Sequence, residues 1–214
     1  MRKITLIAGI LIATTLIAVA QEESEYKTLN AKDDVNTIFK KPHSNGGYGS
    51  ITFGFGVIND KNTFISGFRG GWIIDHGIAL GIGGYAFVNN LDLNYTSNKV
   101  GLAGGYGGFL IEPIIKPKSP VHVSFPILIG AGGLTIFEDI GNWENYEYNG
   151  AAFFVFVPGV ELELNVVKFF RIAIGVNYRF TPDIELYDIT GESLVPKDVM
   201  RGFTATLTLK FGKF

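Results

Sequence analysis

The sequence predicts an all-β chain, an eight-stranded antiparallel up-and-down transmembrane β-barrel. Three observations predict it. From about residue 47 onward, the chain divides into eight segments in which apolar residues alternate with small or polar ones. That period of two marks strands with two unlike faces. The connections alternate between short and long, as in a barrel with tight turns at one rim and long loops at the other. After residue 20, no stretch offers the roughly 18 continuous apolar residues of a spanning helix, so entry into lipid requires closed β-structure that pairs every backbone group.

The N-terminus reads as an export signal. Arg2 and Lys3 supply positive charge, "ITLIAGILIATTLI" supplies the apolar stretch, and Ala18-Val19-Ala20 supplies the small-x-small cleavage site. An uncleaved anchor is the alternative. The chain is expected to divide into a signal peptide (1–20), a polar periplasmic tail (21–45) and the barrel (46–214). Gly is abundant at 28 residues and aromatics reach 14%. The absence of Cys excludes disulfides, thiolate metal sites, thiol nucleophiles and a lipoprotein anchor. A net charge of −2 gives no reason to expect nucleic acid as a partner.

The first segment, 47–57, places Ile51, Phe53, Phe55 and Val57 on one face and Ser50, Thr52, Gly54 and Gly56 on the other. Asp60-Lys61 is the expected turn. In the second, 63–74, Phe64, Phe68, Trp72 and Ile74 share a face opposite Gly67, Arg69 and Gly71. The third, 78–88, starts with Ile78, Leu80 and Ile82 outward, and Gly83-Gly84 suggests a bulge. The fourth, 100–115, sets Phe109, Ile111 and Ile115 outward and Tyr106 and Glu112 inward. The fifth, 121–137, alternates Val121, Val123, Phe125, Ile127 and Ile129 with His122, Ser124 and Gly130. In the sixth, 151–164, Phe154, Phe156, Val160, Leu162 and Leu164 oppose Gly159, Glu161 and Glu163. The seventh, 169–180, alternates Phe170, Ile172, Ile174, Val176, Tyr178 and Phe180 with Arg171, Ala173, Gly175, Asn177 and Arg179. The eighth, 202–211, alternates Phe203, Ala205, Leu207, Leu209 and Phe211 with Thr204, Thr206, Thr208 and Lys210.

A soluble β-sandwich also has alternating strands, but its polar face meets water. Here that face is mostly Gly, Ser and Thr with a few charges, which suits the cramped interior of a small barrel. The connections at 75–77, 116–120 and 165–168 are short; those at about 89–99, 138–150 and 181–200 are long; that at 59–62 is brief. An even strand count puts both ends of the barrel on the periplasmic side.

With these segments, the signal and a C-terminal strand ending in Phe214, residues 46–214 resemble the small eight-stranded outer-membrane barrels of the OmpA transmembrane domain and OmpX type. "GGYGSITFGFG" and "GFRGGWIIDHGIALGIGGYAF" are similar to Bacteroidota outer-membrane proteins of that build. The resemblance implies location in the outer membrane and recognition of the last strand by the barrel-insertion machinery. Phe211 is in phase with the outward residues and Phe214 is not, so either Gly212 introduces a bulge or Phe211 carries the signal.

The inward parity collects a polar set: Arg69, Glu112, His122, Glu161, Glu163, Arg171, Asn177, Arg179 and Lys210. A charge facing lipid at mid-depth would cost about 2–4 kcal/mol, which a paired charge in a polar lumen avoids. Across the 165–168 turn, Arg171 is expected to face Glu161 or Glu163. The same hairpin logic brings Glu112 opposite His122 or Ser124, a carboxylate, imidazole and hydroxyl with hydrolytic potential. Their parity puts them in the lumen, away from any lipid substrate, so a polar cluster is expected there and no catalytic residue. The interior charges fit either a pore filter or a salt-bridged plug, and the narrow bore favours the plug.

The loop "EDIGNWENYEYNG" is acidic and aromatic. Trp143, Tyr146, Tyr148, Glu144 and Glu147 are its binding candidates, for divalent ions at lipopolysaccharide phosphates or for sugars or a protein. The 181–200 connection has five carboxylates against Lys197. No metal-ligand spacing appears, and no cofactor or metal is expected. The expected function is that of a monomeric, non-enzymatic barrel among outer-membrane lipid and lipopolysaccharide, supporting the envelope or binding at its surface. A narrow solute or ion channel and a lipid-modifying enzyme are the alternatives.

Overall fold

A computed structural model describes residues 44–91, 100–138, 150–186, 193 and 195–214. The expected signal peptide, the expected tail up to residue 43 and the loop candidates Trp143, Glu144, Tyr146, Glu147 and Tyr148 lie outside the described residues.

Nine extended segments follow in order: β1 (Asn45–Ile58), β2 (Lys61–Ile74), β3 (Ile78–Leu91), β4 (Val100–Ile115), β5 (Val121–Ser124), β6 (Ile127–Glu138), β7 (Gly150–Val167), β8 (Phe170–Arg179) and β9 (Gly202–Lys213). Each pairs antiparallel with its neighbours, and β1 closes on β9. β5 and β6 are two halves of one expected strand. They share both neighbours, β4 and β7, and the break falls at Phe125-Pro126. Pro126 has no N–H to give the ladder. The flanking bonds continue around it, from Phe125 N to Pro113 O at 2.9 Å and from Gly159 N to Pro126 O at 2.8 Å. Counted as walls, the ring is an eight-stranded up-and-down barrel.

Each strand turns its apolar residues outward. Phe109 is 77% exposed and Phe154 78%. Phe55, Phe68, Trp72, Ile129, Phe203 and Phe211 stand on the same outer surface. A sandwich would bury these side chains against a second sheet. A closed ring that exposes them while burying Arg, Lys, Glu and Thr is built for an apolar solvent.

Several local expectations are corrected. The β1–β2 turn is Asn59-Asp60, with positive φ of 51° and 56°, and Lys61 already opens β2 opposite Ile58. Two positive-φ residues match the twist of the flanking strands, which a turn shifted by one residue would not. Gly83-Gly84 makes no bulge: β3 keeps register with β2 and β4 through both glycines. Ile74, on the outward parity of β2, is 8% exposed at the rim and not on the open face. The β1–β9 ladder runs without a shift through Gly212 to Lys213, so no bulge lies there. Phe211 stays on the outer face, while Phe214 packs back against Tyr48 with ring centroids 6.3 Å apart.

The two ends of the barrel differ. At the turn end lie 75–77, 116–120, 168–169 and the last residues of β9. At the loop end, the described parts of the β8–β9 connection, 181–186 and 195–201, fold inward. Ile184, Leu186, Val195, Val199 and Met200 are buried with Ile58, Ile65, Phe87, Leu102, Leu134, Phe153 and Val155 of the inner wall. Each fully buried aliphatic or aromatic side chain contributes about 1.5–3 kcal/mol. The inner wall is therefore apolar at the loop end, where the sequence led us to expect Gly, Ser and Thr. Exposed pairs of Arg201 with Asp183 at 2.6 Å and Lys197 with Glu185 at 2.9 Å tie down the outer part of that connection.

Candidate functional site

The middle and turn end of the lumen hold the charges. Arg69 (β2) and Glu161 (β7) stand on opposite walls, since β2 and β7 are four strands apart in the ring. Arg69 Nη2 reaches both Glu161 oxygens at 2.7 and 2.9 Å. Gly83 makes room for this reach, because a Cβ there would sit 3.1 Å from Arg69 Cγ. Glu112 (β4) and Lys210 (β9) also face each other across the ring, and they form a second bridge. Two diametric ion pairs therefore cross the bore.

Lys210 is the hub. Its ammonium donates to Glu112, lies 2.6 Å from Glu163 and 3.2 Å from Glu161, and is almost wholly buried. Glu112 also accepts from the Tyr48 hydroxyl. Thr208 bonds Thr52 at 3.0 Å and accepts from Arg69 at 3.1 Å. Glu163 takes His122 Nε2 at 3.2 Å and Arg171 Nη1 at 3.5 Å. Three carboxylates (Glu112, Glu161, Glu163) thus meet three permanent cations (Arg69, Arg171, Lys210). Carboxylate oxygens of the three acids lie within 4.8 Å of one another, a geometry that can hold a metal ion, but the Lys210 ammonium is bonded to all three.

The hairpin registers differ from those expected. Arg171 lies opposite Asn165, Glu163 opposite Ala173 and Glu161 opposite Gly175. A register shift between Asn165 and Val167 lets the β7–β8 turn close later than the sequence suggested. Arg171 still meets Glu163, but diagonally. Ser124 lies opposite Ile114, not Glu112, and the β4–β5 register separates Glu112 from His122. His122 instead lies across from Glu163, and Ser124 Oγ is buried with no protein partner among the described residues. The expected Glu112–His122–Ser124 grouping does not form.

Arg179 stands apart at the loop end. It donates from Nε to Met200 O at 3.0 Å, from Nη2 to Val57 O at 2.7 Å, and from Nη1 to the Thr204 hydroxyl. Its partners are carbonyls and a hydroxyl, so it pins the infolded connection to the wall. Asn177 is half-buried and borders a cavity of about 20 Å³ with Arg69, Tyr85, Glu161 and Thr206. That is room for about one water molecule. Sequence reasoning put Thr52 and Thr208 on the inner face without joining them to the network, and it missed Tyr48 and the buried apolar residues of the β8–β9 connection. Tyr48 was legible from parity, since it lies in phase with Ser50 and Thr52.

The closed ring, its outward apolar belt and its ion-paired lumen define an integral membrane β-barrel. No family model matches the chain, and no curated protein sequence matches it. Solved structures do match. Neisserial surface protein A aligns over 81% of this chain and 100% of its own, with TM-score 0.55 and 10% identity. Ail of Yersinia pestis, in complex with the heparin analogue sucrose octasulfate, aligns over 80% and 99%, with TM-score 0.46 and 10% identity. The N-terminal β-barrel domain of Pseudomonas aeruginosa OprF aligns over 77% and 96%, with TM-score 0.43 and 10% identity. The first likeness shows the fold. The protein has the fold of a small eight-stranded outer-membrane β-barrel.

Proposed function

We propose that this barrel is a non-enzymatic, non-conducting outer-membrane protein that works through its surfaces, supporting the envelope or binding at the loop end. One observation carries the reading: two ion pairs join opposite walls across the bore, Arg69–Glu161 and Glu112–Lys210. Solutes crossing the lumen would have to break both, and breaking a buried pair costs about 3–5 kcal/mol. The infolded β8–β9 connection adds an apolar stopper above them. With the lumen filled, what remains is the lipid belt and the two rims. Outer-membrane lipid and lipopolysaccharide are the partners of the belt and the loops, and the insertion machinery reads β9, where Phe211 is the outward aromatic. The barrel acts as a monomer, and nucleic acid is not a partner.

The test has two parts. Liposomes carrying the refolded barrel are placed in isotonic arabinose, and swelling is followed by light scattering. No swelling above protein-free liposomes is expected; swelling would refute the filled lumen. Replacing 139–149 by a Gly-Ser linker should then weaken the envelope barrier or surface binding while the barrel still folds. An unaltered barrier and unaltered surface binding would refute the role of that loop.

A further inference from the structure

The rim opposite the loops carries a hollow that the lumen network does not explain. It has a volume of about 590 Å³ and is lined by His76, Lys118, Lys168, Arg171, Lys213 and Phe214, among others. Sites for small ligands run to about 300–1,000 Å³. No acidic side chain lines it. Asp75 is the acidic residue of the neighbouring 75–77 turn and is not part of the lining. Four basic residues thus gather around one depression, Arg171 among them already paired with Glu163 at 3.5 Å.

The cations come from separate elements, as three exposed lysines and the buried Arg171. Asn165 Nδ2 donates to Pro117 O at 3.2 Å and to Ser119 O at 2.7 Å, which holds the turn carrying Lys118. Lys168 sits in the β7–β8 turn, and Lys213 is held opposite Gly47 in the β1–β9 ladder. Arg171 lies over the Phe214 ring, 3.9 Å from its centroid, so its guanidinium plane is set. The Arg171 side chain is about 5% exposed, yet its Nε has no protein partner among the described residues. Arg171 Nη1 pairs with Glu163, whereas Lys118, Lys168 and Lys213 make no ion pair among the described residues.

We propose that this hollow binds a phosphate-bearing anion at the turn-end rim. A phosphate monoester carries up to two charges and several acceptor oxygens, which suits a guanidinium edge flanked by ammonium groups. A lipid headgroup and a soluble phosphate ester present the same chemistry, and the test separates them. The site does not depend on whether the lumen conducts.

The full mature chain, with residues 21–43 present, is refolded into phosphatidylcholine nanodiscs and titrated with glycerol 3-phosphate under amide NMR. Saturable shifts are expected at Lys118, Lys168 and Lys213, and none at Thr204 at the other end. The Lys118→Ser, Lys168→Ser, Lys213→Ser variant should bind about tenfold more weakly or worse, since charge-assisted bonds dominate such sites. Its unfolding midpoint should match that of the native chain, because none of the three lysines joins the lumen network. No saturable shift, or equal affinity in the variant, would overturn the proposal. Discs doped with phosphatidylglycerol identify the source. Shifts already present before titration assign the site to a lipid headgroup, and an unchanged titration assigns it to a soluble ester.

Discussion

Replacing Lys210 with Met tests the lumen network at its hub. The ammonium is 2.6 Å from Glu163, 3.2 Å from Glu161 and bonded to Glu112, with its side chain 2% exposed. Met keeps most of the volume and removes the charge. Arg69 and Arg171 then face three carboxylates that include an uncompensated one. Stripping one partner from a buried pair costs about 3–5 kcal/mol. The Lys210→Met, Glu112→Gln double variant removes one charge of each sign and should recover at least half of that loss. Urea unfolding from lipid vesicles, followed by tryptophan fluorescence, measures both. A cost below about 1 kcal/mol, or a double variant as unstable as the two single losses added, would refute the assignment of Lys210 as hub.

Three further outcomes follow from other parts of the molecule. Arg179→Met leaves the carbonyls of Val57 and Met200 without their donor, at about 1–3 kcal/mol for each group, and should speed proteolysis within 181–200 while the barrel stays closed. Phe109→Arg puts a charge on the lipid face and should cost about 2–4 kcal/mol if that position lies near mid-depth, measured by the same unfolding assay. Gly108→Leu should slow or block refolding, read as loss of heat-modifiable migration, because a Cβ there meets Ile129 O at 2.2 Å and Gly130 Cα at 2.6 Å.

Parity was the legible part of this fold. The lipid-facing positions of these strands are mostly apolar, so "FFRIAIGVNYRF" separates into Ile172, Ile174 and Val176 on one side and Arg171, Asn177 and Arg179 on the other. Depth and partner were not legible. Parity says that Arg69 and Glu112 point inward, but their partners lie 92 and 98 residues away, on the far walls. Near partners were misjudged for a local reason. Asn165 pins the 116–120 turn and the ladder shifts after it, so Arg171 meets Glu163 on a diagonal. The infolding of the β8–β9 connection was hidden by its five carboxylates. Its Ile184 and Leu186 are spaced two apart, which marks one buried side of an extended segment, and Asp183 and Glu185, which alternate with them, find Arg201 and Lys197 outside.

Planar-bilayer recording on the purified, refolded barrel tests the central claim most directly. With the bore crossed by Arg69–Glu161 and Glu112–Lys210, the native protein should give no reproducible unitary currents in molar potassium chloride. Steady unitary openings from the native chain would contradict the account.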